Sequence, residues 1–192
     1  LGDKEIDANF FQHVPYMENF AKEKHLDLVS VGTVHIEPIA VYSKKIKNVN
    51  ELKSGDTILI PNDPTNGARA LILLDKAGVI KLKDNKNLTA TTKDIVSNPK
   101  NIKFVELSAE QIAPRLGEVA AAIINNNFAL DAKLTLKKDA ILVEDKDSPY
   151  ANVVTVLKGN ENDPRIQKLM KALRSSEKVK QYIAEKNLVP AF

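Results

Sequence analysis

The chain has 192 residues, 43% of them hydrophobic, and sets 28 Lys and Arg against 25 Asp and Glu for a net charge of +3. That is enough apolar material for a substantial core in one domain or two small lobes, and the charges are interleaved, so no nucleic-acid-binding arm or polybasic membrane patch stands out and no nucleic-acid partner is expected. The lack of cysteine excludes disulfides, thiol catalysis and Cys-ligated zinc from this stretch, and no apolar run is long enough to cross a bilayer.

Residues 1–8 read as the end of a helix running into a strand, which suggests a chain that begins in mid-fold. Residues 6–11 are a strand candidate, followed by a polar and aromatic turn at 12–16 and a helix over 17–24. Residues 26–31 alternate apolar and polar side chains with the period of a half-buried strand, and 39–42 form another strand. A helical turn at 50–52 precedes the apolar run 57–60, which reads as a strand buried on both faces.

The segment that follows this run is the most informative in the chain. Asp63-Pro64 signals a helix start, because Asp caps backbone N–H groups and Pro is tolerated where its missing donor goes unused. Leu71, Leu74 and Ala77 then fall at helical spacing. Asn66 and Gly67 would let a ligand approach the backbone, and Arg69 lies about one turn into the helix. N–H donors, the positive helix end and a guanidinium fork together suit a small carboxylate or phosphate. The same residues also fit simple capping with Arg69 paired to a surface acid, and the segment alone leaves both readings open.

Further on, residues 81–86 are a solvated charge run, 93–96 a helical turn and 102–106 a strand. Ser108 and Gln111 form a capping box for a helix that Pro114 should interrupt. Residues 119–124 form a crowded central strand, ended by Asn125 before a helix over 128–133. Strands at 141–143 and 153–157 follow, then a second Asp-Pro helix start at 163–164 whose apolar stripe (Ile166, Leu169, Met170, Leu173) resumes beyond Ser175-Ser176. Alternating strands and helices predict an α/β protein with mostly parallel sheets flanked by helices.

In such sheets ligands bind beyond the carboxyl ends of strands. The runs ending at Ile60 and Ile124 deliver Asn66, Arg69 and Asn125 there; if the two strands share a sheet, an Arg fork and amide oxygens make a site for a zwitterion. Asn125 is equally readable as a helix cap. Phe11, His13 and Tyr16 form an aromatic, weakly polar surface of the kind that packs against a thioether or aliphatic group, or else ordinary core. The three histidines lack metal-ligand spacing, so no metal or cofactor is expected. No nucleophile elbow, P-loop or dinucleotide fingerprint occurs, and no catalytic residue is assigned.

Asp7-Ala8-Asn9-Phe10-Phe11-Gln12-His13-Val14-Pro15-Tyr16, Tyr42-Ser43-Lys44-Lys45-Ile46, Pro61-Asn62-Asp63-Pro64-Thr65-Asn66 and Val143-Glu144-Asp145-Lys146-Asp147-Ser148-Pro149-Tyr150 resemble, in order, the NlpA/MetQ family of methionine-binding lipoproteins of bacterial ABC importers. The resemblance implies a two-lobed, type II-like periplasmic-binding-protein fold, lipid-anchored outside the cytoplasmic membrane in the full-length protein, that encloses methionine between lobes and delivers it to a transmembrane permease. It implies that Arg69 binds the ligand carboxylate with Asn66 nearby, that Asn125 and Asn152 hold the amino and carboxylate groups, and that Phe11, His13 and Tyr16 line the side-chain pocket. Residues 1–43 and 151–192 would form lobe one and 44–150 lobe two, with crossings near 42–45 and 148–152. Family members carry a lipid-modified cysteine and a strand–helix–strand unit before the point matching Leu1. Lobe one is therefore expected to be incomplete here, with weak binding or pairing with a second copy as the consequence. The alternatives are an enzyme on a similar two-lobed fold, for which His13 is the one weak candidate, a binder of methionine-containing dipeptides, and the ligand-sensing part of a regulator.

Overall fold

In the computed structural model, which describes residues 1–192, the chain divides into two compact units, Leu1–Glu37 with Lys146–Phe192 and Pro38–Asp145. The first leg of unit one holds strand β1 (Asn9–His13), helix α1 (Val14–Lys24) and strand β2 (Leu28–Ile36). His13 both ends the strand and caps the helix. Its Nδ1 accepts from the Tyr16 N–H at 3.1 Å, and Pro15 occupies the first turn, where a missing donor is no loss. The segment 12–16 expected as a turn is thus the end of β1 running directly into the start of α1. A histidine cap is not among the Ser, Thr, Asp and Asn signals by which helix starts are read.

Unit two begins with β3 (Ala40–Tyr42) and β4 (Thr57–Pro61), followed by α2 (Pro64–Lys76) and the short strands β5 (Lys81–Leu82) and β6 (Ile95–Ser97). It continues through β7 (Lys103–Leu107), α3 (Ala109–Ile112), β8 (Ala121–Ile124), α4 (Asn126–Asp131) and β9 (Ala140–Val143). Five of these strands make one sheet in the order β7-β4-β8-β3-β9. Side chains alternate faces along each strand, and both faces are buried. Ile58, Ile60, Val41, Ala121 and Ile123 pack with Ala68, Leu71 and Leu74 of α2. Leu59, Ala40, Tyr42, Ala122 and Ile124 pack on the other side with Ile112, Leu116 and Ala129. Each fully buried Ile or Leu contributes about 1.5–3 kcal/mol of transfer free energy, which is why these runs read as continuously apolar rather than alternating. Helix α3 is only one turn long, because Pro114 diverts the chain into a 3-10 segment, Ala113–Glu118, and Ser108 makes no side-chain cap bond. The charge run after α2 is partly structural: Leu82 within it is buried, and its N–H donates to Asp75 at 2.6 Å.

The second leg of unit one supplies β10 (Ala151–Leu157), α5 (Pro164–Ser175), α6 (Glu177–Glu185) and β11 (Val189–Pro190). Asp163 caps α5 through the Arg165 N–H at 2.8 Å, and a break at Ser176 separates the two helices. Strand β10 lies between β1 and β2, with β11 on the far side of β2, and all pairings are antiparallel. Helix α5 docks through Met170 beside Val34 and Val154, while the Arg174 Nε donates to the Thr33 carbonyl at 3.0 Å.

Two expectations are corrected here. The sheets are not mostly parallel: only β4 with β7 and β4 with β8 run parallel in the larger sheet. A strand arriving from a distant leg of the chain, as β10 does, is not held parallel by a short helical crossover. The expected lobe boundaries also shift. Residues 40–42 belong to unit two because Val41 pairs with both Ile123 and Leu142, and residues 146–150 belong to unit one. Which sheet claims a short apolar strand is decided by its partners, and these lie some eighty to a hundred residues away.

Candidate functional site

In unit two, β4 and β8 are adjacent and parallel, so the turns that follow them emerge side by side at one edge of the sheet. Strand β3 enters at this edge, with Ala40 opposite both Ile124 and Val143, so β9 also ends there. Asn66, Arg69 and Asn125 are therefore brought to one end of the sheet, as their positions after apolar runs foretold.

Asp63 organises the first turn of α2. Its Oδ2 accepts the Asn66 N–H at 2.9 Å and the Thr65 hydroxyl at 3.1 Å, and the Asn66 Nδ2 lies 3.1 Å from each carboxylate oxygen. The Asn66 Oδ1 in turn accepts from the Asn125 Nδ2 at 3.0 Å. Thr65 and Asn66 are buried. The backbone donors expected to serve a ligand are engaged internally: the Asn66 N–H by Asp63 Oδ2 and the Gly67 N–H by the Asp63 carbonyl at 2.8 Å. The close backbone approach at Gly67 is likewise made by the chain itself, since a Cβ there would meet the Pro61 carbonyl oxygen at 2.9 Å.

Arg69 is 3% exposed. Its Nε donates to Glu144 Oε1 at 2.8 Å and its Nη2 to Glu144 Oε2 at 2.5 Å, a fork-on-carboxylate pair whose acid is itself largely buried. Glu144 is pinned in turn: its Oε2 accepts from the Ile39 N–H at 3.4 Å, and its own N–H donates to the Ile39 carbonyl at 3.0 Å. The partner of Arg69 is thus a buried acid, not the surface acid of the simpler reading. Glu144 was missed in the sequence because it stands in the charged run Glu144-Asp145-Lys146-Asp147, where nothing separates a buried acid from exposed ones.

Unit one gathers the other candidates. On adjacent strands His13 stands opposite Asn152, and Asn152 opposite His35. His13 packs edge-on against Tyr150, with ring centroids 5.0 Å apart, and against Tyr16 at 6.2 Å. Tyr16 also meets the Phe11 ring at 6.2 Å and stacks on Phe20 at 6.1 Å. Because His13 Nδ1 is an acceptor, the neutral ring carries its proton on Nε2. Phe11 is 63% exposed, so the reading of it as ordinary core fails. Asn152 is buried, with its Nδ2 directed to Glu37 Oε1 at 3.5 Å, and Glu37 Oε1 is also 2.9 Å from His35 Nε2. Tyr150 and Glu37 were not singled out in the sequence; Tyr150 lay in a presumed turn, and the partner of Glu37 is on a strand from the other leg of the chain. No group of three or more His, Cys, Asp or Glu side chains is arranged to hold a metal ion.

The sequence matches the NlpA lipoprotein family over residues 1–191. It is 48% identical over 177 residues to outer membrane lipoprotein 2 of Mannheimia haemolytica, and 48% identical over 179 residues to the D-methionine-binding lipoprotein MetQ of Salmonella typhi. Each alignment takes in 92% of this chain but only 64% and 66%, respectively, of the relative's length. Among solved structures, a nutrient binding protein from Burkholderia cenocepacia bound to methionine superposes with a TM-score of 0.96 at 43% identity, over 100% of this chain and 82% of that one. An ABC transporter periplasmic substrate-binding protein from Coxiella burnetii gives 0.95 at 44% identity, over 100% and 81%. The α/β architecture is that of periplasmic substrate-binding proteins, and the chain belongs to the NlpA lipoprotein family.

Proposed function

We propose that this chain is the ligand-capturing part of an extracytoplasmic solute-binding protein for methionine, serving an ABC importer whose permease receives the ligand. The observation that carries the reading is the polar set at one sheet edge of unit two: the Asn125 Oδ1 acceptor at the end of the Asn66–Asn125 pair, and the Arg69 guanidinium, whose carboxylate partner in this structure is Glu144. A carboxylate and an ammonium on one carbon are the groups such a set fits. Arg69 takes the carboxylate in exchange for the Glu144 carboxylate that its fork now holds, with Asn66 beside it, and Asn125 takes the ammonium. The candidates of unit one are of matching chemistry: Asn152 is a polar amide, and Phe11, His13 and Tyr16 form an aromatic surface of the kind suited to a thioether. Two relatives support methionine in particular, one named for binding D-methionine and one solved with methionine bound.

The test is isothermal titration of the protein with L-methionine, after unfolding and refolding to remove carried-over ligand. Saturable binding that is lost in Arg69→Ala supports the reading. Binding that survives Arg69→Ala unchanged rejects the pose, and no binding of L-methionine, D-methionine or a methionine-containing dipeptide, either by this chain or by one to which the family's strand–helix–strand unit has been added, rejects the ligand class.

A further inference from the structure

The amides of Asn66 and Asn125 form a hydrogen-bond relay with a direction. A side-chain amide can present either its oxygen or its nitrogen, and at most sites either end finds a partner. Asp63 removes that choice. As a carboxylate it only accepts, so the Asn66 group facing it at 3.1 Å from both oxygens is Nδ2. Asn66 Oδ1 then faces Asn125, which must answer with its own Nδ2, at 3.0 Å. The relay ends at Asn125 Oδ1, which is buried and makes no hydrogen bond. A buried acceptor left unsatisfied costs free energy, and a ligand that donates to it recovers that cost.

We propose that Asp63 is a positioning residue that acts through Asn66 and Asn125 to fix the site as hydrogen-bond accepting, and so selects ligands that carry an ammonium group. The inference rests on the amino-acid-binding reading above and adds to it the residue that sets its specificity. Asp63 itself need not touch the ligand. Its helix-capping role, which the sequence already signalled, is served by the backbone N–H of Asn66; the selectivity role is served by the side chain of that same residue.

Asp63→Asn separates the two roles, because Asn caps helices as well as Asp does. The new amide retains an oxygen for the Asn66 N–H but offers an N–H toward the Asn66 side chain. With an N–H in the place of Oδ1, Asn66 and Asn125 are expected to turn over, so that Asn125 presents a donor. The probes are L-methionine and its 2-hydroxy analogue, which keeps the carboxylate and thioether but replaces the ammonium by a hydroxyl able to donate or accept. In the wild type, methionine should bind more tightly. In Asp63→Asn, methionine affinity should fall by about 10- to 100-fold, the scale of a hydrogen bond to a charged group, while the hydroxy analogue changes by less than about 3-fold. An equal loss for both ligands, or none for either, overturns the proposal by reducing Asp63 to a cap. The cycle is completed in an Asn125→Ala background, where the relay is cut and Asp63→Asn should leave the ratio of the two affinities unchanged. A ratio that still shifts there assigns the effect to long-range charge and also overturns the proposal. Failure of the wild type to bind methionine at all, also with the family's strand–helix–strand unit added, is a different result, which removes the functional reading and this inference with it.

Discussion

Replacing Glu144 by Ala should destabilise unit two far more than the loss of a surface ion pair would. Arg69 and Glu144 make two charge-assisted hydrogen bonds, at 2.8 and 2.5 Å, with side chains 3% and 10% exposed. At about 1.5–3 kcal/mol for each hydrogen bond to a charged group, and with the usual penalty for breaking a buried pair, the expected cost is about 3–5 kcal/mol. Solvent screening does not rescue a guanidinium this deep. The assay is urea unfolding followed by circular dichroism. With a slope of about 2 kcal/mol per molar, a loss of 4 kcal/mol lowers the midpoint by about 2 M. Asp145→Ala is the internal control: the neighbouring pair with Lys76 is 3.9 Å long, with side chains 50% and 75% exposed, and should contribute less than about 1 kcal/mol. The double change Arg69→Met with Glu144→Leu should recover most of the stability while abolishing ligand capture, because an apolar pair of similar volume escapes the desolvation penalty. A cost below about 1 kcal/mol for Glu144→Ala would refute the reasoning and class this pair with exposed ones.

Arg69→Ala should weaken methionine binding by about 3–5 kcal/mol in titration calorimetry, since an enclosed carboxylate loses its cationic partner; unchanged affinity would reject the pose. Gly67→Ala should cost about 1–3 kcal/mol in the same urea assay, because the new methyl group meets the fixed Pro61 carbonyl rather than a movable side-chain tip. Burial pushes the Asp75 carboxyl up, but the Leu82 N–H, the Asn85 amide and Lys81 outweigh it and hold it below the usual carboxylate range. Between the folded and unfolded values the unfolded chain binds more protons, so this contribution is full above about pH 4 and is lost as the pH falls through the lowered folded value. Asp75→Ala should therefore cost about 2–3 kcal/mol at neutral pH and flatten the acid limb of the stability profile; an unchanged limb would count against the assignment.

Much of the local structure was legible because it is written in short-range chemistry. Asp63-Pro64 and Asp163-Pro164 start helices where they were expected to, and the apolar runs ending at Ile60 and Ile124 are the buried central strands. The likeness of four motifs to one family carried the fold class further than periodicity alone could. Misreadings occurred where a residue does unusual work. His13 caps a helix, Ser108 does not, and the polar stretch after α2 wraps around the buried Asp75.

What the sequence by itself determined is the set of elements, with their apolar faces and caps, and the presence of Asn66, Arg69 and Asn125 just beyond strand ends. Each of these depends on interactions between residues a few positions apart. Only the tertiary structure decided which strands pair and in which direction, that 40–42 belongs with the second unit, and that Arg69 meets Glu144 seventy-five residues away. It also decided the polarity of the Asn66–Asn125 pair, because an amide has no preferred end until a carboxylate is placed against it. Partners so far apart in the chain leave no periodic trace: their encounter is fixed by how whole faces pack, and any one residue contributes only a small part of that choice.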